Sequence, residues 1–219
     1  VSSTNKPAQV SKQKKYPVWF YGVPVIITVL FFVVLEIILR LSGYGFNNEQ
    51  WVPIATEYPD KLTLNHEIGY RYFYSTKNIP YSIQDVFDRE KKENSFRVFI
   101  LGESSAAGFP FSPNGSFSRY ISGRLKLIYP DYTIEVVNTG MAAINSYTVK
   151  DLLPGILSQK PDLILIYTGH NEYYGALGIG SSESLGSSPF IINLMLSLNK
   201  FKITQLARNF IGWFGRIIS

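Results

Sequence analysis

The chain has 219 residues, 46% of them hydrophobic, with 21 Lys and Arg against 16 Asp and Glu and no cysteine. That length holds one sizeable α/β domain with additions, and the lack of cysteine excludes a disulfide framework and thiolate metal sites. The net charge of +5 is modest, and its positive charge concentrates in the two end segments, which hold basic residues and no acidic ones, a distribution that fits anionic lipid rather than nucleic acid. No finger, P-loop or stacked-aromatic pattern points to nucleic acid, and nothing points to a metal or an organic cofactor.

Residues 1–16 are polar and basic, the composition of a disordered tail. Residues 17–41 read as a transmembrane anchor. Within them, residues 18–35 carry no charge, which as a helix spans about 27 Å, close to the hydrocarbon thickness of a bilayer. Trp19 and Tyr21 fit an aromatic belt at one end, and Glu36 and Arg40 are spaced to pair on a helix. A cleaved signal peptide has a shorter apolar core and a small-residue cleavage site. Lys6, Lys12, Lys14 and Lys15 precede the span, with no acidic residue before Glu36. The positive-inside rule then places the N-terminus in the cytoplasm and the main domain outside the inner membrane.

Residues 42–95 form a connecting region without a sustained helical period, expected to wrap the domain as loops and short strands. Its aromatics (Tyr70, Tyr72, Phe73, Tyr74, Tyr81 and Phe87) indicate packing on something, and the charged run 88–93 reads as a solvated turn. From residue 97 the pattern becomes βαβαβ, expected to form a parallel sheet with helical crossovers. Residues 97–101 are a strand. Residues 116–128 have helical spacing at Phe117, Tyr120, Ile121, Leu125 and Ile128, ended by Pro130. Residues 132–137 are a second strand and 148–157 a short helix weakened by Pro154 and Gly155. Residues 162–167 are apolar enough for a strand buried on both faces. Residues 177–188 read as a flexible Gly/Ser-rich loop. Residues 189–219 contain Lys200, Lys202, Arg208 and Arg216 and no acidic residue. They suit one or two amphipathic helices, packed on the core or lying on a membrane surface.

Three strand ends carry the chemistry: Gly102-Glu103-Ser104-Ser105, Asn138-Thr139-Gly140, and Thr168-Gly169-His170-Asn171-Glu172. Each alone has a plain structural explanation as a helix cap, a turn glycine or a loop cap. In order, at three strand ends of one βαβαβ unit, they resemble the blocks of the SGNH/GDSL hydrolase family, and most of all its bacterial membrane-anchored members. The resemblance covers roughly residues 96–176, with Glu103 and Glu172 standing where the family has Asp. It implies a flavodoxin-like parallel sheet, here with three of the usual five strands and so incomplete. It also implies that Ser104 is the nucleophile, with its own N–H, the Gly140 N–H and the Asn171 amide as oxyanion donors. Glu103, Ser105, His170 and Glu172 are the accompanying substrate-side residues.

The family's terminal Asp-x-x-His block is absent, since the two histidines are His66 and His170. A serine without a base is a poor nucleophile. The expectation is therefore the N-terminal part of a longer membrane-anchored serine esterase or O-acyltransferase, acting on acyl esters of envelope glycans or lipids. The alternatives are a non-catalytic scaffold subunit that binds other members of a membrane complex, and an interfacial lipid-binding module.

Overall fold

A computed structural model describes residues 17–74 and 79–218, without the side chains of Val18, Arg216 and Ile218. The expected basic tail, residues 1–16, lies outside the described residues. The chain divides into two compact units, residues 1–44 and 45–219.

In the first unit, α1 (Val18–Leu41) is a helix of 24 residues with Pro24 inside it. Its Trp19–Leu41 stretch, at mean hydropathy 2.8, is long and apolar enough to cross a membrane. Polar groups are placed as the sequence suggests: Arg40 Nε donates to Glu36 Oε1 at 2.8 Å, one helical turn away.

The second unit is a mixed α/β fold. A small antiparallel sheet, β1 (Trp51–Pro53), β2 (Lys61–Leu64) and β3 (Phe87–Asp88), is ordered β1-β2-β3. A 3-10 turn, His66–Arg71, follows β2. The parallel sheet comprises β4 (Ser95–Gly102), β5 (Thr133–Asn138) and β6 (Leu163–Tyr167), ordered β5-β4-β6. Between them run α2 (Ser104–Ala107), α3 (Phe117–Ile128) and α4 (Ser146–Leu157). Two helices end the chain, α5 (Pro189–Leu198) and α6 (Lys202–Ile218).

Central strand β4 divides the core by its two-residue period. Val98 and Ile100 face α3, where Phe117, Ile121 and Leu125 cover them. Phe99 and Leu101 face the other way, onto Val149, Leu152 and Ile156 of α4 and onto Leu62, Leu64, Tyr72 and Phe87. Residues 42–95 are thus more than a wrapping: their aromatics complete one face of the parallel sheet. Trp51, Phe87 and Phe99 pack ring on ring at 5.0–5.4 Å.

Four sequence expectations change. Tyr120 and Ile128 point to solvent, so only part of the apolar spacing in α3 is core. The run 88–93 does more than turn in solvent: Asp88 pairs with Lys61 and Lys92, and Lys91 reaches Asp162. Strand β6 is not buried on both faces. It pairs with β4 along one edge only, leaving Leu163 39%, Ile166 52% and Tyr167 47% exposed. The Gly/Ser-rich stretch is a series of turns held by a buried residue, Glu183, whose Oε2 accepts the Tyr74 N–H at 2.7 Å.

Candidate functional site

The carboxyl ends of β4 and β6 and the chain leaving β5 meet at one edge of the parallel sheet. Because β5 and β6 lie on opposite sides of β4, connections diverge at this edge, which is where open α/β sheets hold their ligands. The turn after β4 is tight. Gly102 has φ +154° and a Cβ there would strike the Tyr167 carbonyl, so the close approach of β4 to β6 requires glycine. Gly108, at φ 88°, ends α2 in the left-handed conformation, with its N–H returning to the Ser104 and Ser105 carbonyls.

Ser104 opens α2 and is half-buried, and its hydroxyl has no hydrogen-bond partner among the described residues. Ser105 is exposed. Both stand one or two residues beyond Glu103, whose side chain goes the opposite way. Glu103 is fully buried. Its Oε1 accepts the Thr168 hydroxyl at 2.6 Å and the Gly169 N–H at 2.8 Å, and its Oε2 accepts the His170 N–H at 3.0 Å. Both carboxylate oxygens are thereby spent on the third block. Glu103 shapes that loop rather than facing a substrate.

The second block is tied in through Asn138. Its Nδ2 donates to the Ala106 carbonyl at 2.7 Å and to Ser118 Oγ at 3.1 Å, and its Oδ1 accepts the Gly140 N–H at 2.8 Å. Asn138 is fully buried and joins β5, α2 and α3. Gly140 lies against α2, where a Cβ would sit 2.6 Å from the Ala107 nitrogen. Met141 N–H donates to the Gly102 carbonyl at 3.1 Å, holding the segment beside the end of β4. The Gly140 N–H, expected as an oxyanion donor, is engaged by the Asn138 side chain in this arrangement.

In the third block, His170 is about half exposed, with Nδ1 3.5 Å from Glu103 Oε2 and its ring edge-on to Tyr167 at 5.2 Å. Asn171 is half-buried. Its carbonyl accepts the Gly175 N–H at 2.7 Å, and its side-chain amide has no partner among the described residues. Glu172 turns away to α4: Oε1 accepts the Ser146 N–H at 3.0 Å and Oε2 the Ser146 hydroxyl at 2.7 Å. That carboxylate caps the first turn of α4, a structural task.

The structure therefore unites Ser104, Gly140 and the 168–170 loop at one edge, and assigns Glu103 and Glu172 to holding loops. His66 belongs to the 3-10 turn after β2. Sequence reasoning quoted Asn138 without a role; an Asn closing a strand two residues before a glycine was its only signal. It missed Asn145, the α4 cap, fully buried with an Nδ2 that has no partner. Among the described residues no group of three His, Asp or Glu could hold a metal ion. Elsewhere, a cavity of about 310 Å³ is lined by Arg71, Lys150, Asp151 and Lys200, among others. Asp151 pairs there with Arg71 at 2.7 Å and with Lys200 at 3.3 Å, and Lys150 Nζ donates to Asn193 Oδ1 at 3.3 Å.

Fold and site together define a mixed α/β protein with a small parallel sheet and an N-terminal apolar helix. Comparison with protein-family models, with curated proteins and with solved structures returns no significant match.

Proposed function

We propose that this chain is a membrane-anchored, extracytoplasmic serine esterase or O-acyltransferase of SGNH type, with Ser104 as its nucleophile. Acyl esters of envelope glycans or lipids are its substrates. The observation that carries the reading is the side chain of Ser104: half-buried at the diverging edge of the sheet, with its hydroxyl unspent and a fully buried carboxylate, Glu103, fixing the neighbouring loop. The strand order β5-β4-β6 supports a flavodoxin-like sheet. Four lysines before α1 support a cytoplasmic N-terminus. In this reading Ser104 attacks the ester carbonyl, and its own N–H and the Asn171 amide stabilise the oxyanion. The general base is a group outside the three blocks.

A fluorophosphonate serine probe tests it on the membrane-extracted protein. Labelling is expected in the wild type and lost in Ser104→Ala; equal labelling of both, or of neither, rejects Ser104 as an activated nucleophile.

One observation favours a second reading, a non-catalytic scaffold in a membrane complex. The Gly140 N–H is bound by Asn138 Oδ1 at 2.8 Å, and an oxyanion hole needs that donor free. Absent labelling, with stable co-purification of other membrane proteins, is the outcome this reading expects.

A further inference from the structure

The cavity of about 310 Å³ is walled by α4, by α5 and by the 3-10 turn that follows β2. Four charged residues line it: Arg71 from the turn, Lys150 and Asp151 from α4, and Lys200, two residues beyond α5. Three are cations and one is a carboxylate. Asp151 is committed to the protein: its Oδ2 accepts from Arg71 and from the Tyr72 hydroxyl, and its Oδ1 lies 3.3 Å from Lys200 Nζ. One negative charge therefore serves two cations. Lys150 Nζ donates to a neutral acceptor, Asn193 Oδ1, at 3.3 Å. However the pairs are drawn, the residues lining the cavity keep a surplus of two positive charges.

The fold does not ask for that surplus. Arg71 with Asp151 already ties the turn to α4 with balanced charge. Lys150 and Lys200 bring two more cations to the same cavity from separate segments, and both are exposed. Arg71, in contrast, is 5% exposed. Its charge is screened little by water and acts across the cavity beside it. Its Nη1 and Nη2 donate to Asp151 and to the Asn48 carbonyl, while its Nε is buried with no partner. The acceptors that the protein supplies thus leave this guanidinium incompletely met. Like charges gathered round one space repel one another, and an anion between them relieves that cost.

We propose that this cavity binds the phosphate group of a small phosphomonoester. Charge decides the class of ligand. A phosphate monoester carries about −1.5 to −2 at neutral pH, which matches the surplus; a carboxylate would leave one positive charge over. An ammonium has three N–H donors, so Lys150, with one spent on Asn193, keeps donors for phosphate oxygens. The volume lies at the lower end of the range of about 300–1,000 Å³ found for small-molecule pockets. It leaves room for a short organic group beside Pro154 and Leu196, which also line the cavity. No residue of the three strand-end blocks lines it, so the proposal stands apart from the role of Ser104.

Calorimetric titration tests it on the full chain in detergent micelles, at neutral pH and constant ionic strength. One titrant is glycerol phosphate; the other is dihexanoyl phosphatidic acid, which carries the same group on a lipid. Saturable binding is expected, and the tighter of the two compounds tells whether the group arrives on a soluble molecule or on a lipid. Lys150→Gln and Lys200→Gln should each weaken it about tenfold, through loss of one charge-assisted hydrogen bond. Lys150→Arg, which keeps the charge, should bind like the wild type. Both lysines are exposed, so each variant should keep the circular dichroism spectrum of the folded chain. No binding of either compound overturns the proposal. So does affinity unchanged in both Gln variants, which places the ligand elsewhere, and so does acetate bound as tightly as glycerol phosphate.

Discussion

At the scale of single residues, the edge of the parallel sheet is held by a side chain that sequence gives no reason to bury. Glu103 accepts three hydrogen bonds, two of them from consecutive backbone N–H groups of residues 169 and 170. An ionised carboxylate supplies only acceptors, and here only donors face it. Glu103→Gln keeps the shape but turns an NH₂ toward at least one of these donors, so a buried donor loses its partner. The expected loss is about 1–3 kcal/mol of stability, read as a lower urea midpoint in detergent micelles. Fluorophosphonate labelling of Ser104 should slow as well, because the loop that carries Asn171 loses its anchor. A silent Gln variant would show that the carboxylate only fills space.

At the scale of elements, the same logic joins the 3-10 turn after β2 to α4. Asp151 Oδ2 accepts from Arg71 at 2.7 Å and from the Tyr72 hydroxyl at 2.9 Å. Burial, with the Asp151 charge beside it, pushes the Tyr72 hydroxyl well above its ordinary value, so it serves here as a neutral donor. Asp151→Ala leaves the Arg71 guanidinium buried without its counter-charge, a change that costs about 3–5 kcal/mol. Thermal unfolding followed by circular dichroism should show it; a shift under about a degree would mean that water takes the place of the carboxylate. The elements joined here also show what sequence could and could not disclose. Strands β4, β5 and β6 and helices α3 and α4 lie within a few residues of their expected bounds, because short apolar runs bounded by turn residues mark the strands and a 3.6-residue period marks the helices. The strands of the antiparallel sheet have two to four residues, too few to display a period. The exposure of β6 is decided by the strand beside it, not by its own apolar residues. The roles of Glu103, Asn138 and Glu172 were hidden for a related reason. Their partners are 65–67, 20–32 and 26 residues away, apart from the local Gly140 contact, and a carboxylate's neighbours cannot be read from a run of sequence.

At the scale of the whole molecule, the amino-terminal end of the parallel sheet is fastened by charge. Arg97 is almost fully buried, donates to Glu135 Oε2 at 2.6 Å and to the carbonyls of Gln159 and Asp88, and lies over Phe87 at 5.0 Å. Two aspartates beside it have lowered pKa values. At Asp88 the hydrogen bond from Lys61 is the main cause, followed by that from Lys92. At Asp162 burial pushes upward, but the Arg97 backbone N–H and Lys91 outweigh it. A carboxylate depressed in the folded state binds fewer protons there than in the unfolded chain. Its stabilisation is complete above the unfolded value of about 3.9 and is lost as pH falls through the lower folded value. The urea midpoint of the second unit should therefore hold steady from about pH 7 to about pH 5 and decline below about pH 4. Asp162→Asn removes one of the two groups responsible, so its midpoint should start lower at neutral pH and fall less steeply in acid. A variant curve parallel to the wild type would place the acid sensitivity in other carboxylates.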